Sequence, residues 1–323
     1  MKKLAITISV ILASGTAYAG NEANTQLQYA IGDTVKIEQN TSHASPSEGN
    51  DAFVYMTETF KNSTDVLQTG DNNLAVVDAT NAQRSQFDIS QVGDENKGRI
   101  WTKGDLNKRN DLEIAQSGNI NNAQIYVTSS SFNTVDVNQS NDNIATVEVR
   151  GYSDRNTVDI AQTLENEADV KVTNYSDRNK VKIAQSLDNE AKVNVQDYSD
   201  RNKVKVTQTL ENEANVNVTS FSDGNSVAVG QDFFNEANVS VYWGSDDNDI
   251  AIEQYTNNDA YVTVGSFSDG NDIGIQQTAY NSDTTVKLSY SSDNNISVWQ
   301  NSNDSAMVTG YASNNNAVTI IQN

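Results

Sequence analysis

Thirteen times along this chain an Asn, replaced once by Asp and once by Ser, is followed after five residues by a Gln. Through most of the sequence the pairs recur every 23 residues, as in Asn156 and Gln162, Asn179 and Gln185, Asn202 and Gln208, Asn225 and Gln231. A fixed short period is the mark of a solenoid, in which each repeat is one structural unit stacked on the next. The count also bears on function, because a residue that chemistry needs once is not found among residues that occur thirteen times.

Inside one period the spacing is two. Asn156, Val158, Ile160 and Gln162 alternate with Thr157, Asp159 and Ala161, then Asn166, Ala168, Val170 and Val172 alternate with Glu167, Asp169 and Lys171. Such alternation predicts two strands, each with one buried face. Thr163-Leu164-Glu165 and Asn174 to Arg178 supply turns between them. A helix is excluded because the apolar spacing is neither three nor four and β-branched residues dominate. The expected fold is all-β: a two-sheet parallel β-solenoid of cross-β type, with about 12.5 coils of 23 residues. Residues 23 apart then stack at about 4.8 Å. Asn166, Asn189, Asn212 and Asn235 form one column, and Tyr175, Tyr198, Phe221, Phe267 and Tyr290 line an edge.

A buried amide costs a few kcal/mol if unpaired. In a parallel in-register stack each amide donates to one neighbour and accepts from the other. Asn156, Gln162, Asn166, Asn179, Gln185, Asn189, Asn202, Gln208, Asn212, Asn225, Gln231 and Asn235 are therefore expected to form structural ladders. A competing explanation, that Asn merely favours corners, does not cover Gln.

The register extends outward. Asn62 to Gln68 and Ser85 to Gln91 are earlier copies, and Asp33, Val35, Ile37 and Gln39 form the first. A loop insertion at 41–49 carries the only His, His43, and the only Pro, Pro46, before Asn50, Ala52, Val54 and Met56 resume the pattern. Between Asn281 and Tyr290 the apolar face, Thr284, Val286 and Leu288, is displaced by one residue, which predicts a β-bulge. The last copy, Asn316, Val318, Ile320 and Gln322, is half a coil and is the expected assembly end. Residues 20–32 precede the first copy as a leading segment in which Leu27, Tyr29 and Ile31 alternate as a strand.

Residues 1–19 combine Lys2-Lys3, a short apolar run and a small-residue ending at Ala19, the pattern of a secretory signal peptide. No later apolar run is long enough to span a membrane as a helix. The chain has no Cys, so no disulfide holds it. Its formal charge is −22, which disfavours nucleic acid and anionic membranes as partners.

A polar inner residue, five residues, Gln, four residues, Asn, and Ala two further on resembles the curlin repeat of bacterial curli. Asn62, Gln68, Gly70, Asn73 and Ala75 carry the resemblance, as do Ser85, Gln91, Gly93 and Asn96. The family's second inner Gln is replaced here by Val172, Val195, Val218, Val241 and Val264. The resemblance implies a secreted subunit of a cell-surface functional-amyloid fibre in biofilm. It implies a homopolymer, with a nucleator subunit and an outer-membrane secretion channel as further partners.

No catalytic, cofactor or metal residues are expected, and no enzyme activity. His43 stands alone. Carboxylates do recur, as Glu167, Glu190, Glu213 and Glu236 and as Asp154, Asp177, Asp200 and Asp223; they are expected to limit sideways aggregation and to carry raised pKa values, the alternative being a divalent cation held between the rows. The alternative function is a monomeric β-solenoid adhesin or surface- or ice-binding protein. The outward columns of mixed Asp, Lys, Thr and Glu count against the flat Thr row that ice binding uses. A polysaccharide-cleaving β-helix is disfavoured because 23 residues leave room for only two short strands.

Overall fold

Alternating β-branched and polar residues build every coil. In Thr157–Leu164, Val158, Ile160 and Gln162 point inward while Thr157, Asp159 and Ala161 face out. The structure, a computed structural model, describes residues 7–10, 20–41, 49–104 and 107–323. Most of the expected signal peptide and the His43–Pro46 loop lie outside the described residues. Among the described residues there are 27 strands and no helix.

The chain divides into two units, Met1–Glu165 and Asn166–Asn323. Each is a two-sheet parallel β-solenoid in which successive strands alternate between a Gln-bearing sheet and an Ala-bearing sheet. In the first unit, Asp111–Ser117 lies between Gln86–Val92 and Thr134–Ser140, with Gln116 opposite both Gln91 and Gln139. In the second, Glu213–Thr219 lies between Glu190–Gln196 and Glu236–Tyr242, with Ala214 opposite Ala191 and Ala237. The inner faces close on each other. Val216, Val218, Ile183 and Val239 are fully buried in the second unit, as are Ile114, Ile125 and Val147 in the first. Side-chain burial by this narrow core is the main driving force for folding.

The turns carry a recurring backbone feature. The residue just before most inner Asn residues is left-handed: Arg178 (φ 57°) and Arg201 (φ 56°) precede Asn179 and Asn202, and Asp188 (φ 51°) and Glu211 (φ 48°) precede Asn189 and Asn212. A left-handed L-residue costs roughly 1–2 kcal/mol. The inner Asn residues themselves do not adopt positive φ. Tolerance of a left-handed backbone is therefore not what selects Asn at these slots.

Two expectations are corrected. The displaced phase near Asn281 is not a bulge. Asp283–Ser289 pairs without interruption, Asp259 opposite Asp283 and Leu288 opposite Val264. The extra residue is taken up in the preceding turn, where Asn281 is left-handed (φ 56°), and Ser282 occupies the inner slot. A turn absorbs one residue without breaking the ladder bonds that a bulge would break. In the leading segment the strand is Glu22–Gln28, paired with Asp51–Thr57 in the Ala-bearing sheet. Its inward residues are Ala23, Thr25 and Leu27, opposite Ala52, Val54 and Met56. Tyr29 and Ile31 are instead exposed, because the chain turns at Tyr29 (φ 56°).

Candidate functional site

Three amide columns run through each unit, and they do not share one direction. In the Gln column each Nε2 donates forward, to Oε1 of the Gln in the following coil. In the first unit Gln39, Gln68, Gln91, Gln116 and Gln139 donate in this way at 2.8–2.9 Å, ending on Gln162. In the second unit Gln185, Gln208, Gln231, Gln254, Gln277 and Gln300 do so at 2.9–3.1 Å, ending on Gln322. The same Nε2 atoms also donate across to the Ala-bearing sheet: Gln208 to the Glu190 carbonyl at 3.0 Å, Gln231 to that of Glu213 at 3.0 Å.

The Asn columns run backward. Asn202 donates Nδ2 to Asn179 Oδ1 at 3.2 Å, and Asn225 to Asn202 at 3.1 Å. The backbone N–H joins in, Asn202 N reaching Asn179 Oδ1 at 2.8 Å. In the first unit Asn156 donates to Asn133 at 3.2 Å. The second Asn column behaves alike, with Asn189, Asn212 and Asn235 donating to Asn166, Asn189 and Asn212 at 2.9–3.0 Å. All twelve of the sequence-derived ladder residues are buried. A buried amide column is stable only when every member is satisfied, so each coil fixes the register of the next.

The ends of the columns differ from their middles. Asp33 heads the first Asn column; its Oδ1 accepts from Asn62 N at 2.7 Å and from Asn62 Nδ2 at 2.9 Å, and its Oδ2 accepts from Thr59 Oγ1 at 2.8 Å. Asn21 heads the second, its Oδ1 accepting from Asn50 N at 2.8 Å. At the far end, Asn316 is exposed and Val318, Ile320 and Gln322 are half-buried, although their partners Ile296, Val298 and Gln300 are buried. The second column passes through Ser282 to Asp304, whose carbonyl accepts from Asp283 N at 2.8 Å, just as the Asn258 carbonyl accepts from Glu236 N at 2.9 Å.

Outside, the charges are sorted into blocks. Asp65, Asp88, Glu113, Asp136 and Asp159 stack on the outer face of the Gln-bearing sheet in the first unit. A single repeated residue type does not mark this column, since Glu113 stands among Asp residues. Burial raises the pKa of Asp88, Glu113 and Asp136, and like-charged neighbours add to the rise. On the Gln-bearing sheet of the second unit, Lys180 stands opposite Lys203 and Lys182 opposite Lys205. Of the two carboxylate columns singled out from sequence, the Asp column is not a simple row of repelling charges. Asp177 N donates to Asp200 Oδ1 at 2.7 Å, Asp200 N to Asp223 Oδ1 at 2.6 Å, and Asp223 N to Asp246 Oδ1 at 2.8 Å. A backbone N–H held on a carboxylate favours its charged form. At Asp246 burial raises the pKa, and the hydrogen bond from Asp223 opposes it. In the Glu column Glu190 is paired with Lys192, and Glu213 accepts from Asn215 Nδ2 at 2.8 Å.

Among the described residues no group of three or more His, Cys, Asp or Glu side chains is placed to hold a metal ion. Nor, among the described residues, is any helix long and apolar enough to cross a membrane. No curated protein matches the chain. Residues 61–93 match the family model of the curlin associated repeat. Within that stretch lie Gly70 (φ 111°) and Gly93 (φ 112°), where a Cβ would fall 2.1 Å from the carbonyl oxygen of Gly93 and of Gly118. Only glycine fits such turns. The matched stretch is built on the same buried Asn and Gln columns as the coils around it, and the match supports assignment of the chain to the curlin-repeat family.

Proposed function

We propose that this curli-like repeat protein is a secreted, non-catalytic subunit that polymerises end to end into a cell-surface fibre of the biofilm matrix. One observation carries the proposal. The end strands have the inward pattern of core strands but lack their cover. Ala23, Thr25 and Leu27 are half-buried where Ala52, Val54 and Met56 are fully buried, and Val318 and Ile320 contrast in the same way with Ile296 and Val298. An uncovered strand edge is a template for pairing with another chain. Glu22–Gln28 belongs to the Ala-bearing sheet and Ala317–Gln322 to the Gln-bearing sheet, so two copies placed end to end make one complete coil at the joint.

The leader bears on this. Thr7–Val10 pairs with the outer edge of Thr34–Asn40, Thr7 opposite Thr34 and Val10 opposite Ile37. Removal of a signal peptide at residues 1–19 takes that strand away and opens the edge. A nucleator subunit and an outer-membrane channel are the partners such a subunit needs. Negative-stain microscopy and fibre diffraction of the chain from Gly20 onward test the reading. Unbranched fibres with reflections near 4.7 and about 10 Å are expected. A chain that stays monomeric for days at high concentration would overturn it.

A further inference from the structure

The opposed directions of the amide columns determine what each end of the solenoid can offer. A column that donates forward leaves an unused acceptor at its head and an unused donor at its tail. In the Gln column the head is Gln39, whose buried Oε1 has no hydrogen-bond partner. The tail is Gln322, whose Nε2 gives one hydrogen to the Ser305 carbonyl at 3.2 Å and has a second hydrogen to give. In the second Asn column, which donates backward, the head is Asn21, with its side-chain amide hydrogens unused. Its tail is Asp304, a pure acceptor; Oδ2 takes Asn301 N and Ser302 N at 3.3 Å, and Oδ1 has no donor. Both pairs are complementary between the two ends: Gln322 donates to Gln39, and Asn21 donates to Asp304.

The first Asn column is the exception. Its tail, Asn316, offers Oδ1 as an acceptor, since its Nδ2 already donates to Asn294 Oδ1 at 2.9 Å and to the Asn314 carbonyl at 3.2 Å. Its head is Asp33, the one carboxylate among the thirteen residues of that column. An Asn in this slot would donate its side-chain amide to Asn316, as Asn133, Asn156, Asn202 and Asn225 do to their predecessors. A carboxylate has no hydrogen to donate and sets oxygen against oxygen.

We propose that the joint between copies is polar and head-to-tail, made by Gln322 on Gln39 and Asn21 on Asp304, and that Asp33 is a built-in mismatch that slows its closure. The occupant of each end is thus the opposite end of a second copy. Like-end docking would set donor against donor or acceptor against acceptor. The mismatch lies only at the joint. Inside one copy Asp33 is fully satisfied by Asn62 and Thr59. It leaves folding alone and taxes only the contact with another copy.

This inference rests on end-to-end assembly, and its test separates the two claims. Seeded elongation is measured for the chain from Gly20 onward, for Asp33→Asn, for Gln322→Leu and for Ser85→Asn. Ser85 is the other departure from Asn in the same column, but it lies within the stack, where Asn110 N donates to its Oγ at 3.1 Å. Asp33→Asn is expected to elongate several-fold faster, Gln322→Leu several-fold slower, and Ser85→Asn at the wild-type rate. Thermal unfolding of each soluble chain verifies that all four are folded. Wild-type fibres whose growth is unchanged by Asp33→Asn overturn the mismatch. Equal acceleration by Ser85→Asn overturns the placement at the joint. A wild type that never elongates overturns both the joint and the fibre.

Discussion

The amide columns inside and the charge columns outside are made by the same operation, one residue type repeated at the strand spacing. Their consequences are opposite. Inside, Gln208 gives a hydrogen bond to Gln231 and Gln231 one to Gln254, so every added coil adds an attraction. Outside, Asp88, Glu113 and Asp136 stand opposite one another, and every added carboxylate adds repulsion. A parallel in-register stack multiplies whatever one residue does to its own copy. Asn and Gln, each donor and acceptor, gain from this. Asp, Glu and Lys lose, whether in the acidic column of the first unit, in the column from Glu167 to Glu236 or in the paired lysines of the second.

The largest effect comes from breaking an inner column. Gln231→Leu removes the acceptor of Gln208 and the donor to Gln254, leaving two buried amide groups unpaired. At about 1–3 kcal/mol for each unsatisfied group, a loss of several kcal/mol is expected. Changing Gln208, Gln231 and Gln254 together to Leu leaves unpaired groups only at the two ends of the run. Each site still gives up its bond to a backbone carbonyl, as Gln231 does to Glu213. The total loss should therefore exceed that of the single change, while the loss per site should be clearly smaller. Urea unfolding of both variants measures this. Equal losses per site would mean that the amides act independently.

Much of this comparison was legible in the sequence. Alternation with a period of two marked Val158, Ile160 and Gln162 as inward, and the 23-residue period placed Gln185 above Gln208. What alternation cannot encode is direction. Asn179 and Gln185 look equivalent as buried amides, yet one accepts from the coil after it and the other donates to it. Nor does phase say where an extra residue goes. The displaced run at Thr284 fits a bulge or a longer turn equally well, and the ladder bonds favour the turn. The acidic block was missed because Glu113 interrupts the run of Asp and one spacing differs from 23, Glu113 following Asp88 after 25 residues.

An effect of intermediate size sharpens the outer half of the comparison. Glu113→Gln removes one charge from the middle of the acidic column while keeping its shape. The gain should be small, about 0.3 kcal/mol, because the column is partly exposed and screened. Acid should act in the same direction. Burial, then like charges, raises the folded-state pKa of Glu113. The folded chain therefore binds the proton before the unfolded chain does. The penalty is present in full above the raised folded-state pKa and is relieved as pH falls through that value toward the ordinary carboxylate range. A melting temperature that rises between pH 7 and about pH 5 in low salt, and rises less for Glu113→Gln, is the expected result. No difference between the two chains would show that the column is not a source of strain.

The smallest effect is expected at the turn edge, where attraction and strain meet in one residue. Tyr198 stacks on Tyr175 with ring centroids 5.1 Å apart and on Phe221 at 5.2 Å, with interplanar angles of 7° and 5°. All three residues are left-handed, with φ of 61°, 62° and 64° in chain order. The next position in the column is Gly244, also left-handed at φ 65°, where a Cβ would approach the Phe267 ring at 3.0 Å. Stacking contributes roughly 0.5–1.5 kcal/mol per pair and less at an exposed edge. The left-handed backbone costs roughly 1–2 kcal/mol for any residue with a Cβ. Tyr198→Ala loses the stacking and keeps the strain, so a loss of about 1 kcal/mol is expected. Tyr198→Gly loses the same stacking but relieves the strain, so its stability should stay within about 0.5 kcal/mol of the wild type. If the Gly variant is as unstable as the Ala variant, the turn is not strained and the aromatic column alone sets its conformation. If it is clearly more stable than the wild type, the rings contribute little to stability, and their repetition must serve the outer surface of the fibre instead.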